Sequence, residues 1–465
     1  MAQSSWRPMN DDEQLFPFQE EGATWLTSKR HALLADEMGL GKSAQAIVAA
    51  DRIRAERILV LCPASVRTNW IRQFERWSGF GRSAACVTHG SARPTTSICV
   101  CSYDLLLNSE LLSWLLETQW SLLILDEVHY LKSTDAKRTH AVFGRGGLVH
   151  RAARTWGLSG TPAPNHAGEL FPLLRVFGVF SGAYDSFVDA YCQTRHTPYG
   201  RQITGSKNIP ALRALVAPII LRRKKEDVMR DLPKISFESV VVEAGPVDEE
   251  LMFPHYSIPK RLPELHRDLE KQRAVLDGAF ALASPGTRDG LTVLSGIADS
   301  VSTLRKYVGL QKVPAILDII KGELEFGAYD KIVLFAIHRD VIETLREGLK
   351  PFKPVAFYGG MPDQKKHANL EKFQKDPKCR VFIGNIKAAG TGVDGLQHAA
   401  HHVAFVECMW SPADNAQAAM RVHRIGQTKP VFVRVFGLAN SIDERVQVVL
   451  RRKIKDLTAL FDSPE

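Results

Sequence analysis

Short apolar runs alternate with segments of helical period in the first part of the chain. The apolar runs cover residues 58–62, 98–101, 122–125 and 155–158. The segments of helical period between them include residues 44–54 and 105–117. Apolar runs of this length, separated by helices, are typical of strands buried on both faces of a parallel sheet. The alternation therefore predicts an α/β fold, a mainly parallel sheet with helices on both faces.

The alternation stops after Pro164 and returns in the last third of the chain. From about residue 167 to residue 313 the sequence is more polar and its pattern is mostly helical. Strand-like runs then recur at residues 332–335, 355–358, 381–384, 402–407 and 431–436. This recurrence predicts a second α/β lobe.

These patterns divide the chain into four predicted regions. A first lobe is expected at residues 1–166, followed by a helical insertion and linker region at residues 167–311. The second lobe is expected at residues 312–440. Residues 441–465 have apolar positions at helical spacing and are expected to form a closing helix. Residues 259–290 carry no pattern that favours either helix or strand.

Length and charge agree with two globular units and suggest a partner. The chain has 465 residues, which is too many for one ordinary core. Its formal net charge is +9. Such a surplus favours polyanionic partners, because clustered Lys and Arg release counterions from phosphate backbones. A basic surface that only maintains solubility would give the same charge, so charge alone leaves nucleic-acid binding open.

The cysteines and the distribution of apolar residues indicate in which cellular compartment the chain is expected. The seven cysteines are scattered, with no C-x-x-C pair and no histidine at metal-ligand spacing. We therefore expect a reducing compartment and no structural zinc. The N-terminal residues lack a signal-peptide core, and no segment approaches the ~18 apolar residues of a membrane span. The chain is expected to be soluble and intracellular, with no membrane partner.

A turn with phosphate-binding character lies near the N-terminus, in the string DEMGLGKS. Gly39 and Gly41 allow successive backbone N–H groups to point at a phosphate, and the helix that follows adds a favourable dipole. Lys42 is expected to reach the terminal phosphates of ATP, and Ser43 is expected to ligate Mg²⁺. Asp36 stands where the general G-x-x-x-x-G-K-S pattern has its first glycine.

Two acidic residues follow the apolar run at 122–125. Asp126 and Glu127 come about 84 residues after Lys42. Because the carboxyl ends of parallel strands form the mouth of the sheet, these carboxylates are expected to face the phosphate turn. Asp126 is expected to hold Mg²⁺, and Glu127 to polarise the water that attacks the γ-phosphate. The alternative is that these two acids only cap the next helix or turn. The G-K-S string upstream makes this alternative less favoured.

Four strings in this order resemble the ATPase core of the Swi/Snf-type branch of the superfamily-two helicases: ADEMGLGKS, LDEVHYLKS, GLSGTPAPN and QAAMRVHRIGQT. The resemblance extends from Leu15 to about Phe461. Three further stretches are similar to the annealing-helicase (HARP-like) subgroup: YCQTRHTPYGRQITGSKN, IILRRKKEDVMRDLP and LRKYVGLQKVPAI. The resemblance implies two RecA-like lobes and a DNA-dependent ATPase that uses ATP and Mg²⁺.

For the first lobe the resemblance implies several further roles. Gln19 matches the family glutamine that reads the adenine edge, and its amide offers both a donor and an acceptor. Asp36 is the usual residue of this branch at its position in the phosphate turn, so it is counted among the nucleotide-binding residues. Ser159, Thr161 and His129 are expected to couple the state of the nucleotide to the grip on DNA.

For the second lobe the resemblance implies arginine fingers. Arg421 and Arg424 lie three residues apart on one face of a predicted helix, with Gln417 one turn upstream on that face. Their guanidinium groups are expected to stabilise charge on the transferring phosphoryl group. Gln417, together with Gly392 and Asp394, is expected to contact the nucleotide.

The DNA contacts implied by the resemblance are Thr68, Asn69, Trp70, Ser102, Tyr103, His338, Gly359, Gly360 and Thr391. Backbone N–H groups and small hydroxyls at helix starts bind phosphates without reading sequence. The expected partner is therefore double-stranded or forked DNA, bound by a monomer, regardless of sequence and with strong salt dependence. The basic string at 222–225 is expected to belong to the fold between the lobes and not to a nuclear-targeting signal.

Two other activities remain open. A helicase that separates strands of DNA or RNA would use the same nucleotide site. An ATP-switched clamp that recruits partners would need little turnover, and the combination of Lys42, Glu127 and Arg421 argues against it. The short flanks around the motifs favour a bacterial or viral source over a nuclear remodelling complex. The expected location is the cytoplasm or nucleoid for a bacterial or viral source and the nucleus for a eukaryotic one.

Overall fold

A computed structural model describes residues 14–87, 93–197, 200–229, 231–245 and 290–439, together with residues 441 and 443. The backbone contacts divide the chain into two compact units. Within the described residues, the first unit comprises residues 14–193 and 205–231, and the second comprises residues 194–204 and 232–443. Each unit contains one large parallel sheet.

The strands and helices follow one another along both units. The strands are β1 His31–Leu34, β2 Ile58–Cys62, β3 Ala84–Cys86, β4 Ile98–Ser102, β5 Trp120–Asp126, β6 Ala152–Leu158, β7 Cys192–Thr197, β8 Gly200–Ser206, β9 Ile220–Leu221, β10 Ile235–Val242, β11 Ile332–Ala336, β12 Val355–Phe357, β13 Val381–Asn385, β14 His402–Phe405 and β15 Val431–Leu438. The helices are α1 Pro17–Thr27, α2 Lys42–Arg52, α3 Arg67–Trp77, α4 Ser109–Glu117, α5 Lys137–Phe143, α6 Phe171–Val176, α7 Tyr184–Tyr191, α8 Ile209–Val216, α9 Lys225–Val228, α10 Gly290–Glu325, α11 Arg339–Gly348, α12 Asp363–Lys375, α13 Ile386–Gly392 and α14 Pro412–Ala419.

The sheet of the first unit has seven strands in the order β3-β4-β2-β5-β6-β1-β9, with parallel neighbours throughout. Every residue of β2 and β4 is buried. On one face, Ile47 of α2 and both Trp70 and Phe74 of α3 pack in one apolar cluster with Val60 of β2. Burial on both faces explains why these strands are uninterrupted apolar runs in the sequence.

The sheet of the second unit has six strands in the order β10-β15-β14-β11-β13-β12, again with parallel neighbours. Alternate residues of β11 enter two different apolar clusters. Leu334 packs with Ile316 of α10 in one cluster, and Phe335 packs with Phe373 of α12 in the other. Helices therefore cover both faces of this sheet, and the predicted α/β fold with two parallel sheets is confirmed.

One part of the predicted organisation needs correction. Residues 167–311 were expected to be a helical insertion, but they contain strands of both sheets. Ile220–Leu221 extends the first sheet beside β1, and Ile235–Val242 pairs with β15 along its whole length. The first of these strands is too short for a periodic pattern. The second is an edge strand whose side chains are mostly exposed, so neither an apolar run nor a clean alternation marks it.

The predicted helix at 105–117 is also divided. A 3₁₀ helix covers Tyr103–Leu107, and α4 begins at Ser109. The break follows from Asn108, whose side-chain oxygen accepts a hydrogen bond from the backbone N–H of Leu111 at 2.9 Å and so caps α4.

The predicted closing helix at 441–465 and the unreadable stretch at 259–290 lie outside the described residues, apart from residues 441, 443 and 290. Among the described helices, none is both long and apolar enough to cross a membrane.

Candidate functional site

The predicted phosphate turn connects the end of β1 to the start of α2. Gly39 and Gly41 have φ values of 89° and 74°, in the left-handed region that side chains disfavour. A Cβ added to Gly41 would lie 2.3 Å from the side-chain nitrogen of Gln19. The turn therefore needs glycine at this position for both conformation and space. Lys42 and Ser43 begin α2, where backbone N–H groups and the helix dipole favour an anion.

The amine of Lys42 lies inside this turn. It donates hydrogen bonds to the carbonyl oxygens of Asp36 at 2.7 Å and Glu37 at 3.3 Å. Removal from water lowers the pKa of Lys42, and the carboxylates of Glu127, Asp36 and Asp126 counteract that effect. The cation is thus placed among acidic groups that come from the turn and from the end of β5.

Gln19 lies against the turn, as its predicted role requires, but both ends of its amide are engaged in the described fold. Its nitrogen donates to the carbonyl oxygen of Leu40 at 3.1 Å, and its oxygen accepts from the backbone N–H of Phe16 at 3.0 Å. The side chain is buried, with 3% of its surface exposed. Gln19 therefore ties the start of α1 to the phosphate turn, and its contact with adenine stays a prediction.

The side chain of Asp36 supports the phosphate turn, and the predicted contact of this residue with the nucleotide stays a prediction. Its carboxylate is fully buried and accepts two hydrogen bonds from Arg223, at 3.0 Å to Oδ1 and 2.5 Å to Oδ2. Gln45 of α2 donates a third, at 3.1 Å to Oδ2. Since both oxygens are occupied and a carboxylate repels phosphate, Asp36 holds the turn in shape through Arg223.

The basic string at 222–225, which we call the basic strap, belongs to the first unit and contacts the turn at several points. Arg222 donates from one nitrogen to the carbonyl oxygens of Ala35 at 3.0 Å and Gly160 at 3.1 Å. The backbone N–H of Lys225 donates to the carboxylate of Glu37 at 2.8 Å. Sequence reasoning missed this strap as part of the site, although the apolar residues just before it could have signalled a short strand leading there.

Asp126 is the last residue of β5, and a hydrogen bond from a buried indole fixes its carboxylate. The indole N–H of Trp70 donates to Oδ2 of Asp126 at 2.8 Å. Desolvation, followed by the charge of Glu127, raises the pKa of Asp126 to about 6, against the opposing effects of Trp70 and Lys42. Glu127 follows with φ at 50°, a left-handed conformation that is unusual for a side-chain-bearing residue and is typical of functional sites.

The three predicted coupling residues come together with Glu127 at the end of β6. The hydroxyl of Ser159 donates to Oε2 of Glu127 at 3.3 Å and lies 3.1 Å from Nδ1 of His129. It also accepts from the backbone N–H of Thr161 at 3.2 Å. The ring of His129 lies 3.3 Å from the same oxygen of Glu127. Ser159, which is fully buried, therefore links the three other residues.

Three of the residues predicted to touch DNA in the first unit are buried, so their side chains face the protein interior and their contact with DNA stays a prediction. Trp70, Ser102 and Tyr103 expose 2%, 2% and 1% of their surface. Trp70 donates to the carboxylate of Asp126, and the hydroxyl of Tyr103 donates to the backbone oxygen of the same residue at 2.8 Å. The family strings mark these segments, but the strings do not reveal which side chains point inward. Thr68 is exposed and Asn69 is half-buried, so both remain DNA candidates.

In the second unit, the predicted arginine fingers follow a helix and do not lie on it. Helix α14 ends at Ala419, and the chain then turns through residues 420–426, with Gly426 at φ 94°. Arg421 donates to the carbonyl oxygen of Gly390 at 2.6 Å, and Arg424 pairs with Asp394 at 2.9 Å. The helical prediction was wrong at this point: the backbone N–H groups of Arg421 and Val422 donate to carbonyl oxygens three residues earlier, at 3.1 and 3.0 Å, as in turns and not as in an α-helix.

The same turns bring several predicted residues of the second unit together. Buried Gln417 lies on α14, while Asp394 and the backbone of Gly392 belong to the neighbouring segment at 386–394. The side chain of Thr391 is outside the described part of the chain. Residues 390–394 and the two arginines thus form one connected group in this unit.

The remaining DNA candidates lie at the ends of β11 and β12. His338 precedes α11, and its Nδ1 lies 2.6 Å from Oε1 of buried Glu407, whose Oε2 accepts from the backbone N–H of His338 at 2.9 Å. Burial alone would raise the pKa of Glu407, but the contacts with His338 hold it below the ordinary value. Gly359 and Gly360 are exposed with open space around them, which allows close approach of a backbone.

The first unit fits a nucleoside triphosphate with Mg²⁺. A glycine turn before a helix and a lysine inside it suit phosphates, and the hydroxyl of Thr161 is buried without a hydrogen-bond partner among the described residues. Ser43 and Asp126 offer oxygen ligands. Within the described residues no cluster of three or more His, Cys, Asp or Glu side chains could hold a metal by itself. Mg²⁺ is commonly bound by one or two carboxylates together with substrate phosphates.

We predict that Arg223→Met lowers the free energy of unfolding by about 3–5 kcal/mol, because it leaves the buried Asp36 carboxylate without its counter-charge. Chemical denaturation of the variant measures this loss, and the double variant Asp36→Asn/Arg223→Met should recover part of it. Arg52→Met removes an exposed arginine paired with Glu20 and should change stability by less than about 1 kcal/mol. An Arg223→Met protein as stable as Arg52→Met would contradict the role of the strap.

Comparison with known proteins places this chain in a family. The SNF2-related domain matches residues 18–271, and the helicase conserved C-terminal domain matches residues 311–426. The SWI/SNF-related matrix-associated actin-dependent regulator of chromatin subfamily A-like protein 1 of Xenopus tropicalis is 30% identical over 454 residues, which are 95% of this chain and 44% of the relative. The DNA annealing helicase and endonuclease ZRANB3 of Mus musculus is 29% identical over 455 residues, 94% of this chain and 40% of the relative.

The chain therefore spans less than half the length of these curated relatives. Among solved structures, the Sulfolobus solfataricus SWI2/SNF2 ATPase core in complex with dsDNA is similar, with 22% identity over 99% of this chain and 96% of that chain and a TM-score of 0.44. The family domain matched at residues 18–271 covers more than half of the 465 residues. The chain thus belongs to the SNF2-related family, the Swi/Snf-type ATPases of the superfamily-two helicases, and has annealing helicases among its relatives.

Proposed function

We propose that this chain is an ATP-dependent translocase on double-stranded DNA, in which hydrolysis of ATP to ADP and phosphate drives movement along the duplex. The observation that carries the proposal is the group formed by Lys42, Asp126, Glu127 and Ser159 at one edge of the first sheet. A lysine among carboxylates, beside a glycine turn, suits a triphosphate with its metal ion. Family membership adds the expectation that DNA stimulates turnover.

Lys42 and the turn would bind the phosphates. The lysine amine now donates to two carbonyl oxygens of the turn and can exchange them for the more basic oxygens of a terminal phosphate. Ser43 and Asp126 would hold Mg²⁺, which when bound neutralises phosphate charge. The hydrogen bond from Trp70 to Oδ2 fixes the orientation of the Asp126 carboxylate toward the metal ion it would hold.

Glu127 would orient the attacking water and accept its proton. Ser159 and His129 both contact Oε2 of this carboxylate, so its orientation is held from the end of β6 and from the residue two positions further along the chain. A carboxylate fixed in this way loses no orientation entropy when the water arrives. The contact of Ser159 with Thr161 connects this carboxylate to the segment that follows β6.

Arg421 and Arg424 would stabilise the negative charge that develops during phosphoryl transfer. Arg421 is anchored to Gly390, and the pairing with half-exposed Asp394 holds Arg424 in place without burying it. A guanidinium group offers several donors in a fixed plane, which matches phosphate oxygens. Gln417, Gly392 and Asp394 would complete the nucleotide contacts from this unit.

The DNA partner is proposed to be duplex or forked DNA, bound without regard to sequence by a monomer. The net charge of +9, exposed Thr68, and the open glycines at 359 and 360 suit a phosphate backbone. The relatives named above cover 95% and 94% of this chain, and one of them is described as a DNA annealing helicase. Annealing or fork remodelling is therefore the finer form of the proposal.

We predict that Glu127→Gln lowers the DNA-stimulated ATPase rate by roughly 10²–10⁴-fold, because the amide cannot accept the proton of the water. Binding of ATP should remain within about threefold of wild type, since the lost interaction matters only in the transition state. Steady-state kinetics with and without duplex DNA, together with nucleotide titration, measures both quantities. Glu117→Gln, the same change at an exposed residue of α4, is the matched control.

Two outcomes would contradict the proposal. One is a wild-type chain whose ATPase rate is the same with and without duplex or forked DNA. The other is a Glu127→Gln variant that still moves along DNA, as scored by displacement of a third strand from a duplex. A variant that binds duplex and still recruits partners without turnover would instead favour the ATP-switched clamp.

We predict that Arg424→Ala lowers kcat by about 10³-fold or more with little change in the affinity for ATP, as expected when a guanidinium acts mainly on the transition state. Arg424→Lys should recover only a small part, because an ammonium lacks the planar fork. Arg346→Ala removes an arginine of α11 that pairs with Glu343 at the surface, and its kcat should stay at the wild-type value. An Arg424→Ala chain with wild-type kcat would exclude the finger role.

A further inference from the structure

Two buried side chains from separate segments form hydrogen bonds to Asp126. The indole N–H of Trp70 donates to the carboxylate oxygen Oδ2, and the hydroxyl of Tyr103 donates to the backbone oxygen, both at 2.8 Å. Trp70 lies on α3, which follows β2, while Tyr103 opens the 3₁₀ helix that follows β4. These are the two segments in which DNA contacts were predicted. Both segments therefore contact Asp126, the proposed metal ligand, through a buried side chain.

Helix α3 carries an outward-facing and an inward-facing group in one turn. Thr68 is exposed and Asn69 is half-buried, whereas Trp70 is buried against Phe74, with ring centroids 6.0 Å apart. One turn of helix is held by backbone hydrogen bonds and moves as a unit. A phosphate bound at the outer residues would therefore bear on the same turn that carries the indole, whose N–H contacts the carboxylate of Asp126.

The segment after β4 reaches the hydrolytic group by a second route. The ring of Tyr103 stacks on Tyr130 at 5.5 Å between centroids, and Tyr130 lies 5.3 Å from His129. His129 contacts the carboxylate of Glu127. Tyr103 therefore contacts the backbone of Asp126 directly and reaches Glu127 through two aromatic neighbours.

Simple filling of the core is the alternative explanation, since buried tryptophan and tyrosine need hydrogen-bond acceptors in any fold. The other indoles of this unit show which hydrogen-bond acceptors a tryptophan has when it only fills the core. Trp120 and Trp156 donate to backbone carbonyl oxygens at 3.0 and 3.1 Å, and Trp77 donates to Gln73 in its own helix at 3.1 Å. Trp70 differs because its acceptor is an acidic side chain at the end of another element. Such charge-assisted bonds are shorter and stronger than neutral ones.

We propose that Trp70 is a positioning residue that fixes the carboxylate of Asp126 and transmits the docking of a phosphodiester backbone on α3 to the nucleotide site, with Tyr103 as a second link. This rests on the proposed function, since it requires that DNA and ATP bind the same chain. The contact between Trp70 and Asp126 would be a physical connection through which DNA stimulates ATP hydrolysis, and it lies entirely within the first unit. A carboxylate misplaced by about 1 Å can cost on the order of 10²-fold in rate, so one hydrogen bond suffices for control.

Trp70→Phe tests the link because it keeps an aromatic ring and deletes the N–H. The readout without turnover is the dissociation constant for a labelled duplex, measured with and without a saturating non-hydrolysable ATP analogue and Mg²⁺. Coupled sites change each other's affinity by about 5–150-fold, and this factor is reciprocal. We expect such a factor for wild type and a factor near one for Trp70→Phe, with the affinity for duplex in the absence of nucleotide unchanged. Duplex stimulation of kcat should fall by about 10-fold or more.

Trp77→Phe is the matched control, because it removes the N–H of an indole on the same helix that bonds only to Gln73. It should keep both the coupling factor and the stimulation of wild type. Tyr103→Phe deletes a single hydroxyl and should lower the coupling in the same direction. If Trp70→Phe melts well below wild type, Tyr103→Phe carries the test instead.

The outcomes separate this inference from the function on which it rests. A wild-type chain with no DNA stimulation and no coupling would overturn the proposed function itself, and the inference with it. A wild-type chain that is stimulated, beside Trp70→Phe and Tyr103→Phe proteins stimulated equally, would overturn only the inference. Loss of coupling in Trp70→Phe but not in Trp77→Phe would establish the link.

Discussion

Charged groups withdrawn from water at one edge of the first sheet determine how the neighbouring residues are arranged. Such groups are tolerated only where opposite charges or hydrogen bonds replace their hydration. Arg223 provides this for the buried carboxylate of Asp36, and Trp70 provides it for Asp126. The amine of Lys42 uses carbonyl oxygens of the turn. The site is therefore ordered by its own electrostatics before a ligand arrives, which is how preorganised catalytic sites act.

The parallel sheet explains why residues far apart in sequence meet at this edge. β1, β2, β4, β5 and β6 run in one direction, so the segments that follow them emerge side by side. The phosphate turn, α3, the 3₁₀ helix at Tyr103–Leu107, Glu127 and Ser159 are those segments. In the second unit the same rule brings the ends of β11 and β14 together, where Glu407 contacts His338.

Periodicity and motif strings predicted much of this from the sequence. The buried strands were visible because both faces of the sheet are covered, and the glycine turn with Lys42 was visible because phosphate binding needs those residues in that spacing. The strand at 235–242 was missed because its side chains are exposed at the sheet edge. The roles of Arg223 and Trp70 were missed because a sequence does not show that an arginine or an indole points inward to a distant carboxylate. Those contacts depend on tertiary packing alone.

We propose that Lys42 with Asp126 and Glu127, and the guanidinium groups of Arg421 and Arg424, act on one triphosphate. A crystal structure of the chain with duplex DNA, Mg²⁺, ADP and aluminium fluoride tests this directly, since that complex mimics the transferring phosphoryl group. We expect the amine of Lys42 to leave the carbonyl oxygens of the turn for phosphate oxygens, and at least one of the two guanidinium groups to contact the fluoride. Both arginines turned away from an occupied nucleotide site would contradict it.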